Sequence, residues 1–157
     1  MRLFGIKSKK TEIMAPLNGK VVPITETPDD VFAGKVLGDG VAIIPCSSEV
    51  VSPVSGVIVN IAHSLHAICV LSDDGAEVLI HLGVDTVNLE GEGFACHVRA
   101  GQHVKAGETL MKMDLDFIKS KGLNTISPCI ITNPDKVKDV KMQYGNAIAG
   151  KTAIMIY

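Results

Sequence analysis

The sequence has no tryptophan among its 157 residues, and aromatic residues make up only 4% of it. Lysine and arginine number 15 against 17 acidic residues, for a net charge of -2. The chain therefore lacks both the excess positive charge and the stacking side chains that bind nucleic acid. It also lacks an apolar run long enough to cross a bilayer, and its N-terminus has no apolar core followed by a small-residue cleavage site. These absences predict a globular cytoplasmic protein without nucleic acid as a partner.

Cysteine is scarce and scattered. The residues are Cys46, Cys69, Cys96 and Cys129, and no C-x-x-C pair is present. Neither a zinc knuckle nor a dithiol redox centre is indicated. Since Cys69 and Cys129 lie in apolar runs, we expect reduced, buried thiols that behave as small hydrophobic groups.

Short β-type runs do recur along almost the whole chain, separated by Gly, Pro, Asn and Asp. This spacing predicts an all-β fold, a compact antiparallel β-sandwich of Greek-key or jelly-roll type with short helical turns. One helical turn is expected after Thr27, as N-cap, with Pro28 at the first helical position, and another over 115–121 after Asp114. Residues 1–10 are basic and without periodicity, which predicts a flexible tail before a single domain at 11–157.

The most informative segment runs from His66 to His81. Two strand-like runs flank Ser-Asp-Asp-Gly at 72–75, which predicts a β-hairpin. With a four-residue loop, Leu71 pairs with Ala76 and His66 lies directly opposite His81. The two imidazoles are then close enough to act on one small group.

Alternation along the strands assigns each residue of this hairpin to a face. One face is entirely apolar and is expected in the core: Ala67, Cys69, Leu71, Ala76, Val78, Ile80 and Leu82. The open face then carries the remaining side chains: His66, Ile68, Val70, Glu77, Leu79 and His81.

Two neighbouring imidazoles suit either of two chemistries. A neutral imidazole is a competent nucleophile near pH 7, so one ring can accept a phosphoryl group while the other donates a hydrogen bond. Imidazole is also a common zinc ligand, and Asp85 is near enough in sequence to be a third ligand beside His66 and His81. Zinc is kept as an accessory possibility, because no H-E-x-x-H motif is present.

At these residues the chain resembles the glucose-type enzyme IIA family of the bacterial sugar phosphotransferase system. The segment Leu79–Val87 (LIHLGVDTV) is similar to its phosphorylation-site signature, and Gly91–Phe94 (GEGF) continues it. Ser64–Ile68 is similar to the region of the second active-site histidine, and Val36–Ile43 to an early strand. The resemblance extends from residue 11 to 156.

The resemblance implies a β-sandwich in which Nε2 of His81 accepts phosphoryl from phospho-HPr and passes it to a cysteine of a sugar-specific enzyme IIB domain. It also implies that His66 supplies a hydrogen-bond donor and that Ser64 supports the pair. By the same resemblance we expect a monomer that requires no cofactor and meets the membrane only through the permease. The implied docking surface has an apolar part and an acidic part, formed by Val31, Phe32, Leu79 and Val87 and by Asp29 and Asp85.

A second resemblance concerns Met111-Lys112-Met113, which is similar to the acceptor site of biotinyl carrier domains. In that family the lysine lies at a hairpin tip, whereas Lys112 follows Leu110 inside an apparent strand. Two alternative functions are kept, a biotinyl or lipoyl-like carrier and a zinc-binding protein that uses the His66–His81 pair.

Overall fold

The computed structural model describes residues 10–157, so most of the predicted tail at 1–10 lies outside the described residues. Within the described part, strands account for most of the regular structure. In chain order they are β1 (Glu12–Met14), β2 (Gly19–Pro23), β3 (Asp39–Pro45), β4 (Glu49–Val51), β5 (Gly56–Ile61), β6 (Ala67–Ser72), β7 (Glu77–His81), β8 (Phe94–Cys96), β9 (His103–Val104), β10 (Thr109–Met113), β11 (Ser127–Ile131), β12 (Lys141–Met142), β13 (Gly145–Ala147) and β14 (Ala153–Ile156).

The strands form one large sheet and two small ones. The large sheet has eight strands in the order β13-β2-β3-β11-β7-β6-β5-β9, and the small sheets have the orders β1-β14-β12 and β4-β10-β8. Within each sheet, all the neighbouring strands are paired antiparallel. The predicted antiparallel sandwich is confirmed. Strand β7 lies inside the large sheet, between β11 and β6, so the strand that carries the histidine at its end is held by strands on both sides.

Apolar side chains cover both faces of the large sheet. The main core fills the sandwich and includes Ile68, Val70, Val78 and Ile80, which are fully buried. A second, smaller cluster lies on the opposite face, where Leu79 and its neighbour Ile130 point away from the main core. Its other members are Val22, Ile24, Phe32, Ala42, Val84 and Ile126. Burial of one such side chain stabilises the fold by about 1.5 to 3 kcal/mol.

In the described residues, helical structure is limited to short pieces, as predicted. The α-helices are α1 (Asp30–Ala33) and α2 (Leu115–Ser120), and 3-10 turns occupy Ile24–Glu26, Thr86–Leu89 and Pro134–Lys136. Among residues 10–157, no helix has the length and apolar content that a membrane span requires.

The two predicted helix starts have different outcomes. The cap at Asp114 is confirmed, because its carboxylate accepts a hydrogen bond from the Phe117 N–H at 3.0 Å. The cap at Thr27 is wrong. Asp29 is the N-cap of α1, and its Oδ1 accepts from the Val31 N–H at 2.9 Å. Thr27 and Pro28 precede the helix because Thr27 ends the 3-10 turn before it.

The β6–β7 hairpin is confirmed, but the predicted register is wrong by one residue. Leu71 pairs with Glu77, and Ala67, not His66, lies opposite His81. The loop closes in three residues, and the backbone N–H of Ser72 donates to the Ala76 carbonyl at 2.8 Å. Gly75 makes this possible by adopting a φ of +101°. Asn133 then holds the loop, since its amide donates to the Gly75 carbonyl and its Oδ1 accepts from the Glu77 N–H.

The shifted register reverses the faces predicted for β6, while those of β7 are confirmed. Ile68 and Val70 face the main core, fully buried, whereas Cys69 pairs with Leu79 on the other face and Leu71 is 37% exposed. The alternation could not decide this because the outer face also carries an apolar cluster, so apolar side chains occur on both sides of β6.

The thiols are free, but they are not all buried as predicted. Cys69 and Cys129 are buried, Cys96 is half-buried and Cys46 is exposed. Burial raises the pKa of Cys129 to about 12, and burial together with Glu77 raises the pKa of Cys69 to about 12. Both buried thiols therefore remain protonated near pH 7 and have a packing role.

Candidate functional site

His81 is the last residue of β7, and its half-buried ring lies on the outer face of the large sheet. Nδ1 of the ring is 2.7 Å from the Gly83 carbonyl oxygen. Since a carbonyl only accepts hydrogen bonds, Nδ1 carries the proton of the neutral ring. Nε2 therefore carries the free lone pair, which makes it the nucleophilic atom of the side chain.

Two aromatic rings flank His81. The Phe32 ring centroid lies 4.7 Å away with the planes tilted by 53°. The His66 centroid lies 5.1 Å away in an edge-on arrangement at 79°. The predicted meeting of the two imidazoles is thus observed, although it occurs diagonally and not between directly opposed residues.

A tight turn before β6 places His66. Leu65 has a left-handed φ of 61°, and the Ala62 N–H and carbonyl bond to Ala67 and Leu65 respectively. The Leu82 N–H donates to the His66 carbonyl at 2.7 Å, which ties this turn to the residue after His81. Within residues 10–157, Nδ1 of His66 is buried and has no hydrogen-bond partner. Ser64 is half-buried nearby, and its hydroxyl is not hydrogen-bonded to either described imidazole ring.

Burial keeps both imidazoles neutral. Desolvation lowers the pKa of His81 below its ordinary value, and the Gly83 carbonyl, Asp29 and Asp85 oppose this only in part. Desolvation also lowers the pKa of His66, and so does the proximity of His81. A proton on either ring would place a positive charge in a partly desolvated position beside the other ring, which is unfavourable. The site therefore offers a free lone pair at neutral pH.

The six residues predicted as a docking surface differ in exposure. Val31 and Val87 are exposed by 42% and 48%, and Asp85 is exposed. Asp29 is half-buried, with one carboxylate oxygen bonded to the Val31 N–H. Leu79 lies on the outer face with His81, as predicted, but it is half-buried because it packs against the second cluster.

Phe32 also differs from the expectation of a surface residue. Its side chain is only 5% exposed, so it has little area to offer a partner. The Phe32 ring packs against the ring of His81 and thereby supports the position of that histidine.

Sequence reasoning did not identify the acceptor for Nδ1 of His81. Gly83 has a φ of +82°, and a Cβ there would lie 2.6 Å from Cγ2 of Thr86 and 3.0 Å from the Asn124 carbonyl oxygen. A glycine two residues after a histidine is the one local signal of such a turn. The segment that packs against it is distant in sequence and could not have been found this way.

The structure also locates the residues that would serve the two alternatives, a carrier lysine and a zinc site. Lys112 is the fourth of the five residues of β10 and is paired with Glu49 on one side and Ala95 on the other. It is not presented at a hairpin tip, so the carrier-lysine interpretation is not supported. Within the described part of the chain, no group of three or more His, Cys, Asp or Glu side chains is arranged to hold a metal ion. Asp85 is therefore not placed as a third ligand beside His66 and His81.

Comparison with known proteins gives a consistent result. Residues 11–137 match the model of a family described as phosphoenolpyruvate-dependent sugar phosphotransferase system, EIIA 1. The chain is 50% identical to the PTS system glucose-specific EIIA component of Bacillus anthracis, over 98% of this chain and 95% of that protein. It is 41% identical to part of the N-acetylglucosamine-specific EIICBA component of Klebsiella pneumoniae, over 90% of this chain but 22% of that protein. The structure of glucose permease IIA from Mycoplasma capricolum superposes with a TM-score of 0.89 at 35% identity, covering 95% of this chain and 96% of that one.

Proposed function

This chain belongs to the EIIA 1 family of the phosphoenolpyruvate-dependent sugar phosphotransferase system, and we propose that His81 is the residue on which it carries the phosphoryl group. Members of the family transfer phosphoryl through a histidine, and the chain is a phosphocarrier of the sugar phosphotransferase system. The observation that carries the assignment to His81 is its hydrogen bond from Nδ1 to the Gly83 carbonyl, which leaves Nε2 free to attack.

The transfer follows from this arrangement. The Nε2 lone pair of His81 attacks the phosphorus of a phosphohistidine on the donor, phospho-HPr. The N–P bond of the donor breaks as the new N–P bond forms, and Nδ1 keeps its proton against the Gly83 carbonyl. In the second half-reaction a cysteine thiolate of an enzyme IIB domain attacks the same phosphorus, and the Nε2–P bond breaks. Positioning supplies most of the catalysis, because phosphoryl transfer needs little covalent assistance from the protein.

His66 is the hydrogen-bond donor to the transferred group. Its ring is already 5.1 Å from that of His81, and its lowered pKa keeps it neutral with one N–H available. Neutrality matters because a cationic neighbour would strengthen binding of phosphoryl to His81 and slow its release. Ser64 lies in the turn that carries His66, and its proposed supporting role rests on that position.

The docking surface is the area around His81 formed by the exposed Val31 and Val87. Asp29 and Asp85 lie close enough to His81 to influence its pKa, so a partner that covers the ring also meets negative charge. This arrangement suits a partner with an apolar centre and a basic rim. Such a surface would serve phospho-HPr and enzyme IIB in turn. The names of the relatives point to a glucose permease as the acceptor. We place the protein in the cytoplasm as a monomer that meets the membrane through the permease.

Reconstitution tests the assignment. The full chain is incubated with enzyme I, HPr and phosphoenolpyruvate, and the phosphoryl group is mapped by peptide analysis. The expected product is acid-labile and base-stable, as a phosphoramidate is, and lies on His81. His81→Gln should take up none, while His97→Gln, which changes an exposed histidine elsewhere, should take up a full equivalent. Stable label on Ser64, or on His66 of the unaltered chain, would contradict the assignment.

A further inference from the structure

Both peptide groups of Gly83 are held by the segment that leads into β11. The Gly83–Val84 peptide accepts from Nδ1 of His81 through its carbonyl and donates through the Val84 N–H to the Asn124 carbonyl at 2.9 Å. The preceding peptide donates through the Gly83 N–H to the hydroxyl of Ser127 at 3.2 Å. Of the three acceptors in these contacts, only the hydroxyl of Ser127 belongs to a side chain, and the other two are backbone carbonyls.

The hydroxyl of Ser127 is fully used. It accepts from Gly83 and donates to the Thr125 carbonyl at 2.9 Å, and the residue is completely buried. A hydroxyl can accept and donate in this way, whereas an aliphatic side chain of the same size can do neither. Without it, the Gly83 N–H would be left in a buried position without an acceptor.

From these contacts we infer that Ser127 is a positioning residue for phosphoryl transfer, one that acts on His81 through the backbone of Gly83. Its hydroxyl fixes the orientation of Gly83, the Gly83 carbonyl fixes the proton on Nδ1, and the lone pair is thereby kept on Nε2. Thr86 braces the same turn from the other side, because its Oγ1 donates to the Leu82 carbonyl at 2.6 Å. The inference rests on the proposed role of His81.

The substitution Ser127→Ala leaves the Gly83 N–H without its acceptor and loosens the backbone of Gly83 on one side. The Gly83 carbonyl then holds Nδ1 of His81 less firmly, and the ring can exchange tautomers. Small misplacements of a reacting group can slow a reaction by up to about two orders of magnitude, so we expect kcat for phosphoryl transfer to fall roughly tenfold or more. KM for phospho-HPr should stay within about twofold, since the docking surface is unchanged.

Nitrogen NMR of the His81 ring supplies a readout that does not depend on the reaction. In the unaltered chain Nδ1 should show the shift of a protonated nitrogen and Nε2 that of an unprotonated one. In Ser127→Ala both should move towards averaged values. Ser52→Ala is the matched control, because Ser52 is equally buried and its hydroxyl also donates to a backbone carbonyl, that of Val54. It should leave both the ring shifts and kcat unchanged.

The outcomes separate the inference from the proposed function. Unchanged ring shifts in Ser127→Ala, or an equal loss of kcat in Ser52→Ala, would overturn the positioning role. If the unaltered chain took up no phosphoryl on His81, the proposed function would fail, while the ring shifts would still decide whether Ser127 controls the tautomer. Should Ser127→Ala not fold, Ser127→Cys, with a weaker donor and acceptor in a similar volume, is judged by the same criteria.

Discussion

At the scale of single residues, the proposed role of His81 makes the reaction depend on the protonation of its ring. Burial lowers the pKa of this ring below its ordinary value, so the neutral form persists to a lower pH than in a free histidine. Uptake from purified phospho-HPr should therefore begin to decline at a lower pH than it would for a histidine with the ordinary pKa of about 6.5. NMR titration of the ring should give a midpoint on the acid side of that value. A decline between pH 8 and pH 7 would contradict the lowered pKa.

The role of His66 is tested by dividing the cycle into its two half-reactions. His66→Gln keeps an N–H donor but changes its reach and geometry. A hydrogen bond to a charged group contributes about 1.5 to 3 kcal/mol, which corresponds to one or two orders of magnitude in rate. We expect measurable uptake from phospho-HPr but slow onward transfer to enzyme IIB, followed separately by rapid quench. His97→Gln serves as the control. Wild-type rates in both half-reactions would remove His66 from the mechanism.

At the scale of the element, the hairpin register can be measured through stability. In the observed register Ile68 is fully buried and Leu71 is 37% exposed. Ile68→Ala should therefore reduce the free energy of unfolding by about 2 to 5 kcal/mol, because it opens a cavity in the main core. Leu71→Ala should cost less than about 1 kcal/mol. Urea denaturation of both variants gives the comparison. The reverse order of costs would restore the register expected from alternation.

At the scale of the whole molecule, partner recognition can be separated from folding. Val87 is 48% exposed in the 3-10 turn that follows the His81 segment, and Ile148 is 58% exposed beyond the edge strand β13. Strands β13 and β7 are four positions apart in the sheet, or about 19 Å at the usual strand spacing. Either change to Asp should alter the free energy of unfolding by only about 0.5 kcal/mol.

The kinetic effects of these two substitutions should differ. Loss of an apolar anchor at an interface commonly costs about 1 to 2 kcal/mol, and a buried charge adds to that cost. Val87→Asp should slow uptake at least tenfold by raising KM for phospho-HPr, whereas Ile148→Asp should not. Melting curves and transfer kinetics from the same preparations provide the measurement. Equal kinetics in the two variants would place the docking surface elsewhere.

The sequence alone determined the class of fold and that the rings of His66 and His81 meet. Strand alternation and turn residues act over a few positions, so the sandwich, the hairpin and the cap at Asp114 could be predicted from local patterns. The motif around His81 carried the family resemblance for the same reason, because it is a continuous run of residues.

Only the tertiary structure decided how these parts meet. The hairpin register depended on Asn133, which lies 58 residues beyond the Gly75 carbonyl it binds, and on an apolar cluster that covers the second face of the sheet. The burial of Phe32 against His81 depended on the packing of α1 onto that cluster. The hydrogen bond between the Gly83 N–H and Ser127 joins residues that are 44 positions apart in the sequence. Contacts of this kind join segments that are distant in sequence, and no local pattern specifies which partners the folded chain brings together.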